Sequence, residues 1–143
     1  MLYQPFQNLQ LSSLGFGTMR LPVLADGTID QKELDKMTDL ALAGGVIYFD
    51  TAHPYHGGKS EGAIGQSLKR YDRDRWYLAD KFPGHQNVRG VKELQPAQVF
   101  EEQLRRCGVE YFDFYLMHNV NENSMQYYCN PENRWLEYFL GQK

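Results

Sequence analysis

Four side chains that can move or stabilise protons follow predicted strands of this 143-residue chain. Asp50 and Tyr55 come directly after the apolar segment of residues 46–49, while Lys81 and His118 each follow a later apolar segment. The carboxyl ends of parallel strands share one edge of a sheet, and ligands bind at that edge in α/β proteins. We therefore expect a carboxylate, a phenol, an ammonium and an imidazole to meet in one pocket.

These four groups suit the donation of a proton to an oxygen atom. An unperturbed tyrosine hydroxyl has a pKa of about 10, and a nearby ammonium such as that of Lys81 lowers this value. A carboxylate such as that of Asp50 keeps a desolvated lysine charged. His118, as a hydrogen-bond donor, would orient a substrate oxygen. Such an assembly protonates an oxygen while a cofactor delivers a hydride, which predicts carbonyl reduction.

The elements that must position these groups form a repeat along the chain. Predicted strands begin near residues 14, 46, 76 and 111, and predicted helices alternate with them at a spacing of about 30 to 35 residues, as in right-handed βα units. A closed barrel of eight such units typically needs about 250 residues. The four units therefore predict either an open α/β domain or the first half of a barrel.

Local signals predict where the helices begin and end. Asp30 and Glu33 form a capping box, and Gly44-Gly45 end the helix that it opens. Further helices are predicted to begin near Ser60, at Pro96 and after Asn130. Residues 1–13 are predicted to form a marginal hairpin, and residues 82–94 a functional loop. The expected apolar faces are Leu34, Met37, Leu40 and Ala41, then Ile64 and Leu68, then Val99, Phe100, Leu104 and Cys107 ahead of a stop at Gly108, and finally Trp135, Tyr138 and Phe139.

The glycines of residues 14–20 invite comparison with a dinucleotide-binding fingerprint. Arg20 occupies the place of the third glycine, and Leu21-Pro22 follow where that motif requires a helix. The Rossmann interpretation therefore fails.

Composition favours one globular domain, or part of one, over residues 1–143. The chain is 42% hydrophobic and carries a net charge of −3, with basic residues scattered among acidic ones, so neither nucleic-acid nor membrane binding is expected. It contains neither a run of about 18 apolar residues nor a signal-peptide pattern, which makes the cytoplasm the expected location. The two cysteines, Cys107 and Cys129, suit a reducing compartment.

Several motifs together resemble those of the aldo-keto reductases. The similarity extends from about residue 9 to residue 140, and the combination of motifs is specific. The matching residues are Gly15-Phe16-Gly17-Thr18-Met19-Arg20, Asp50-Thr51-Ala52-His53-Pro54-Tyr55, Ser60-Glu61, Ile64-Gly65, Leu68, Lys81, and Tyr111-Phe112-Asp113-Phe114-Tyr115 leading to His118.

This resemblance implies an oxidoreductase that reduces an aldehyde or ketone to an alcohol. It implies the catalytic set Asp50, Tyr55, Lys81 and His118, with Tyr55 as the proton donor. It further implies a small carbonyl substrate, no metal, and NADPH as the hydride donor, with NADH as the alternative. The residues implied at the nicotinamide end of the cofactor are Gly17, Thr18, Met19, Asp50 and Asn119.

The resemblance also implies a fold class: α/β, the first four βα units of a (β/α)8 TIM barrel, as a truncated half-barrel with a short N-terminal β-hairpin. A half-barrel leaves strand edges and an apolar inner face uncovered. We therefore expect the chain alone to bind cofactor poorly and to be inactive, with a homodimer or a complementing second half as its partner. The alternative function is a non-catalytic half-barrel module that dimerises or complements a second chain.

A metal-dependent hydrolase is a further alternative. Its ligands would be His53, His56, His118 and Asp50, since imidazole and carboxylate groups bind zinc. Against it, the first two histidines lie in a loop, and the hypothesis leaves Tyr55 without a role.

Overall fold

A short antiparallel hairpin precedes the main sheet in the computed structural model, which describes residues 1–89 and 94–142. Its strands are β1, Tyr3–Phe6, and β2, Leu9–Ser12, which confirms the predicted N-terminal hairpin. The Tyr3 hydroxyl donates to the Gly45 carbonyl at 3.1 Å, so the hairpin is tied to the turn before the sheet's second strand.

The main sheet contains four parallel strands in chain order. They are β3, Gly15–Gly17, β4, Tyr48–Asp50, β5, Tyr77–Phe82, and β6, Phe114–Met117. The register pairs Gly17 with Asp50, Asp50 with Ala79, and Lys81 with Leu116. The predicted parallel α/β arrangement is thus confirmed, with strands that are mostly shorter than the apolar segments.

Helices connect and follow these strands. They are α1, Gln31–Ala43, α2, Ser60–Leu68, α3, Pro96–Cys107, α4, Glu122–Tyr128, and α5, Trp135–Leu140. Four 3₁₀ segments are also present among the described residues: Tyr55–Gly58, Arg73–Arg75, Gly84–Arg89 and Pro131–Asn133. The predicted loop of residues 82–94 therefore begins as the end of a strand and a 3₁₀ turn, and its residues 90–93 lie outside the described residues.

Capping signals located the helix boundaries well. The Asp30 side chain accepts from the Glu33 amide at the start of α1. Pro96 opens α3, and Gly108 ends it with a φ of 64°, a conformation that glycine adopts at little cost.

One helix was missed, and another begins later than predicted. The helix α4 was not predicted, because its short polar sequence has no apolar stripe, although Asn121 caps it through a capping box with Ser124. Asn130 caps the 3₁₀ turn Pro131–Asn133, whereas the expected helix begins only at Trp135.

The apolar face of α1 also differs from the prediction. Leu40 is 74% exposed, whereas Thr38 and Leu42 are buried. Thr38 can be buried because its hydroxyl donates to the Leu34 carbonyl at 2.9 Å, which satisfies the polar group inside the helix.

The core lies between the sheet and its helices. Phe49 of β4 and Leu78 of β5 are fully buried against Leu34, Ile64 and Cys107 of the helices. A second cluster joins the end of β5 to the last two helices and contains Phe82, Val99, Tyr128 and Trp135. Among the described residues, no helix is both long and apolar enough to cross a membrane.

Gly65 allows α2 and α3 to pack closely, and its replacement is the first testable prediction. A Cβ at Gly65 would lie 2.0 Å from the Cys107 carbonyl oxygen, so Gly65→Ala must separate the two helices. We expect a loss of roughly 1–3 kcal/mol in the free energy of unfolding. Urea unfolding followed by tryptophan fluorescence measures it.

The matched control lies in the same helix. A Cβ at Gly62 would meet its nearest atom, the Arg106 carbonyl oxygen, at an ordinary 3.7 Å. Gly62→Ala should therefore raise stability by about 0.4–1 kcal/mol through the lower entropy of the unfolded chain. Equal effects of the two substitutions would contradict the close approach of the helices.

Candidate active site

A partly buried ion pair joins the ends of β4 and β5. The Lys81 ammonium donates to Asp50 Oδ1 at 2.5 Å and to the Thr51 carbonyl at 2.6 Å. The Lys81 side chain is only 13% exposed, so the charge needs these partners. The predicted pairing of Lys81 with Asp50 is present in the structure.

Tyr55 lies beside this ion pair. Its hydroxyl oxygen is 3.4 Å from Lys81 Nζ, and the same nitrogen lies 4.9 Å from the centre of the tyrosine ring. Tyr55 begins the 3₁₀ turn Tyr55–Gly58, whose next residue, His56, accepts a hydrogen bond from the Leu21 amide at 2.9 Å. The loop that carries Tyr55 is therefore fixed to the chain that follows β3.

His118 completes the group of four. Its amide donates to the Phe82 carbonyl at 3.0 Å, which continues the β5–β6 ladder past the end of β6. Its ring packs edge-on against Tyr55, with 5.7 Å between ring centres, and lies 4.5 Å from the ring of His85. The structure thus brings together all four side chains that the sequence proposed for catalysis.

The charge state of His118 follows from its surroundings. Burial, followed by the neighbouring His85 and Lys81, lowers the pKa of its imidazole from 6.5 to about 4. The ring is therefore neutral near pH 7. Its Nδ1 atom is buried, and no hydrogen-bond partner for it exists within residues 1–89 and 94–142.

The residues predicted at the cofactor lie along one rim, with different exposure. Gly17 pairs with Asp50, and a Cβ on Gly17 would have no heavy atom within 4 Å, so open space lies above it. Met19 is 54% exposed, and Asn119 is exposed beside His118. Gly17, Met19 and Asn119 are therefore accessible to solvent at this rim.

Thr18 differs from the other predicted cofactor residues because its side chain is fully buried. Its hydroxyl donates to the Asp50 carbonyl at 3.0 Å and accepts from the Ser60 hydroxyl at 2.7 Å. Ser60 is also 3.0 Å from the Thr51 hydroxyl. The Thr18 amide also donates to the Asp50 carbonyl, at 2.9 Å, so both the side chain and the main chain of Thr18 fix the end of β4.

Sequence reasoning missed Tyr128, which supports the position of His118. Its buried hydroxyl lies 2.6 Å from the His118 carbonyl and 3.1 Å from the Phe82 carbonyl, and it accepts from the His85 amide at 3.2 Å. Burial raises the pKa of Tyr128 to about 12, so the hydroxyl keeps its proton and can donate. No sequence signal identified it, because α4 itself was not predicted.

Sequence reasoning also missed a buried polar network behind Lys81. Glu61, Asp80 and Gln103 are each fully buried on the face of β5 that packs against the helices. Burial, followed by the charge of Glu61, raises the pKa of Asp80 well above its usual value. The alternation of strand residues could have located Asp80, since its neighbour Lys81 points to the opposite face.

The structure does not support the hypothesis of a metal site in the part of the chain that it describes. Within the described part of the chain, no three His, Cys, Asp or Glu side chains are grouped so as to hold a metal ion. His56 Nε2, one of the proposed donors, already accepts the Leu21 amide.

Sequence comparisons identify the relatives of this chain. Residues 13–135 match the model of the aldo/keto reductase family. A probable aldo-keto reductase from Glycine max is 31% identical over 122 residues, which are 80% of this chain and 35% of that protein. An aldo-keto reductase from Strobilurus tenacellus is 36% identical over 118 residues, 78% of this chain and 34% of that protein.

A third relative is named for its cofactor and substrate. The NADH-specific methylglyoxal reductase of Escherichia coli is 28% identical over 130 residues, 78% of this chain and 39% of that protein. The chain thus spans about a third of the length of the curated relatives that it matches.

Solved structures share the fold. An aldo-keto reductase from Klebsiella pneumoniae in complex with NADPH superimposes with a TM-score of 0.67 at 22% identity, covering 93% of this chain and 43% of that one. The holo form of an aldo-keto reductase from Bacillus halodurans gives a TM-score of 0.72 at 24% identity, covering 100% of this chain and 46% of that one.

The neutral state of His118 gives the second prediction. The ring proton of His118 should titrate near pH 4 by NMR, and Lys81→Met should raise that midpoint because it removes a positive neighbour. Since the native pKa is lowered, this histidine stabilises the fold fully above about pH 6.5 and progressively less as the pH falls towards about 4.

Assignment of the resonance uses His118→Gln, which should remove it and flatten the fall in stability over that pH range. A midpoint near the ordinary value of 6.5 in the folded wild-type chain would contradict the burial of His118 beside Lys81.

Proposed function

Because this chain belongs to the aldo/keto reductase family, we propose that its four converging side chains form the proton-donating part of a carbonyl reductase active site. The observation that carries the proposal is the position of Lys81 Nζ, 2.5 Å from Asp50 Oδ1 and 3.4 Å from the Tyr55 hydroxyl. A neighbouring cation favours proton donation by a tyrosine because it stabilises the phenolate that remains. The substrate would be a small aldehyde or ketone.

The proposed reaction proceeds by proton transfer from Tyr55. A bound nicotinamide cofactor supplies the hydride that forms the new C–H bond, and the electrons of the carbonyl π bond move to oxygen. The Tyr55 O–H bond breaks, and its proton is transferred to that oxygen to give the alcohol. The Lys81 ammonium stabilises the negative charge that develops on the tyrosine oxygen, since both lie in a site of reduced solvent exposure.

Asp50 and His118 support this transfer in different ways. The Asp50 carboxylate compensates the burial of the Lys81 ammonium, which would otherwise be costly. A neutral His118 offers an N–H donor to the substrate oxygen without adding a second positive charge beside Lys81. The oxygen is thereby oriented towards the Tyr55 hydroxyl, which lies against the histidine ring.

NADPH is the proposed hydride donor, with NADH as the alternative. The open space above Gly17 and the exposure of Met19 and Asn119 fit a nicotinamide ring beside Asp50. The Klebsiella pneumoniae structure contains NADPH, whereas the Escherichia coli relative is named as NADH-specific. Thr18 would contribute at the same rim by fixing the end of β4, through the bonds of its hydroxyl and amide to the Asp50 carbonyl.

We further propose that the four βα units are half of an eight-unit barrel. Strands β3 and β6 are the two edges of the sheet, and the matched structures are about twice as long as this chain. The inner face carries Phe114, and Leu116 on the same face is 41% exposed. This exposure supports pairing with a second copy or a complementing half.

The same exposed edges favour a second candidate, a non-catalytic module that dimerises or complements another chain. It makes the opposite prediction for the site, because a module without catalysis does not depend on the Tyr55 hydroxyl. Substitution at Tyr55 therefore separates the two candidates.

The third prediction is the loss of carbonyl reduction in Tyr55→Phe. The substitution keeps the ring beside His118 but removes the proton donor, so turnover of a small aldehyde should fall about 10²- to 10⁴-fold. Affinity for NADPH should change little. NADPH oxidation is followed with the 143-residue chain at high concentration and with any longer form that contains these residues.

The matched control is Tyr111→Phe. Tyr111 precedes β6 at the opposite end of the sheet and is 49% exposed, so its hydroxyl should not affect turnover. Undiminished turnover in Tyr55→Phe would refute the assigned proton donor.

The fourth prediction concerns the chain by itself. Its cofactor rim is exposed and its sheet edges are unpaired within the described residues, so fluorescence titration should show NADPH binding weaker than low micromolar, and turnover should be slight. Tight, saturable binding by the 143-residue chain would show that this half of the fold suffices for the cofactor.

A further inference from the structure

Lys81 lies in β5 beyond the point where the neighbouring strand β4 ends. The last paired residue of β4 is Asp50, opposite Ala79, and the Thr51 amide then bonds to the Ala79 carbonyl at 2.9 Å. Residues of a strand alternate in the direction of their main-chain groups, so those of Lys81 face the same side as those of Ala79. Past the end of β4 they require other partners, because buried amides and carbonyls are nearly always bonded.

Two side chains from the helix-covered face supply these partners. Asp80 Oδ1 accepts the Lys81 amide at 2.7 Å, and Gln103 Nε2 donates to the Lys81 carbonyl at 3.2 Å. Both side chains are fully buried. The main chain of Lys81 is thus held from behind the sheet, while its ammonium is held by Asp50 in front.

Gln103 is fixed in turn by neighbours on three elements. Its Nε2 also donates to Glu61 Oε1 of α2 at 2.9 Å, and its Oε1 accepts from the Tyr115 hydroxyl of β6 at 2.5 Å. Both the nitrogen and the oxygen of the Gln103 side-chain amide are therefore hydrogen-bonded. Rotation of the side chain away from Lys81 would therefore break several buried bonds at once.

The carboxyl groups beside Gln103 are compensated. Arg106 Nη1 donates to Glu61 Oε2 at 3.0 Å, so that carboxylate is paired although it is fully buried. Within residues 1–89 and 94–142, Asp80 forms no ion pair, and burial and the charge of Glu61 raise its pKa, which favours its protonated form. A protonated Asp80 can share its proton with Glu61 while its Oδ1 still accepts the Lys81 amide.

We propose that Gln103 and Asp80 are positioning residues for Lys81: bonded to its carbonyl and its amide, they fix its Cα so that Nζ lies between Asp50 and Tyr55. This inference rests on the proposed role of Lys81 in catalysis. A shift of the Lys81 Cα would carry the whole side chain with it, and the ammonium could keep both contacts only if the side chain adopted another conformation. A misplacement of about 1 Å costs catalysis about 10²-fold.

The test reads the position of Lys81 without substrate or cofactor. Reductive methylation of lysines, quantified by peptide mass spectrometry, compares Lys81 with Lys36, whose side chain is 70% exposed, in the same molecule. In the wild-type chain Lys81 should react much more slowly. Equal rates would overturn the inference at once.

Gln103→Met removes the bond to the Lys81 carbonyl while keeping the size of the side chain. It should raise the relative labelling of Lys81 about five- to tenfold, the factor that corresponds to one lost hydrogen bond. Tyr115→Phe is the matched control, because it removes a bond to Gln103 from the same network but none to Lys81. Tyr115→Phe should change the relative labelling of Lys81 less than twofold, whereas Gln103→Met should raise it at least about fivefold.

A second pair of variants keeps the inference testable if Gln103→Met does not fold. Asp80→Asn retains an oxygen for the Lys81 amide and should preserve the protection of Lys81, whereas Asp80→Ala should lose it. Folding is checked by circular dichroism. Unchanged labelling in folded Gln103→Met or Asp80→Ala would show that the network only stabilises the fold, whatever the outcome for Tyr55→Phe in the turnover assay.

Discussion

The buried ammonium of Lys81 constrains more of this structure than any other single group. A charge that is 13% exposed requires a close counter-ion, and Asp50 can serve only if β4 and β5 are adjacent, parallel and in the observed register. The same register sets Gly17 beside Asp50 and Leu116 beside Lys81. The order of the sheet and the geometry of the site therefore depend on the same contact, and a slip of one residue would turn Lys81 into the apolar core.

Successive side chains of β5 point to opposite faces of the sheet, so this strand contributes both to the site and to the helix-covered core. Lys81 faces the site, whereas Asp80 and Phe82 face the helices and are fully buried there. In front of the sheet, Asp50 and the Thr51 carbonyl hold the ammonium, and behind it, hydrogen bonds satisfy the main chain of Lys81 where β4 has ended. Buried polar groups are costly unless bonded, so the network of Glu61 and Gln103 also restricts how α2 and α3 can pack. The packing of the helices and the position of Lys81 in the proposed site are thus linked through the amide and carbonyl of Lys81.

Local signals in the sequence were sufficient for most of the fold and for the prediction that the side chains of Asp50, Tyr55, Lys81 and His118 meet at one edge of the sheet. Asp30 and Gly108 mark helix ends through interactions within one turn, and Asp50, Tyr55 and Lys81 follow apolar segments that could only be strands. Burial of polar groups could not be predicted in the same way. Gln103 and Glu61 look like surface residues of amphipathic helices, and only the tertiary partners bring them inside. The predicted burial of Leu40 was wrong for the converse reason: an apolar residue of α1 stays exposed because no element of the described structure covers its side of the helix.

The aromatic residues at the strand starts determine from which end a substrate can reach the site. The first residues of β4, β5 and β6 lie on the face that carries Lys81, and they are Tyr48, Tyr77 and Phe114. The ring centre of Phe114 is 5.3 Å from that of Tyr48 and 6.3 Å from that of Tyr77. Phe6 of the hairpin adds a further ring, 5.7 Å from Phe114. These side chains fill the amino-terminal end of the inner face. Access to Tyr55 is therefore left to the carboxyl-terminal end, where His118 and the exposed Asn119 lie, and the proposed carbonyl substrate would enter from that side.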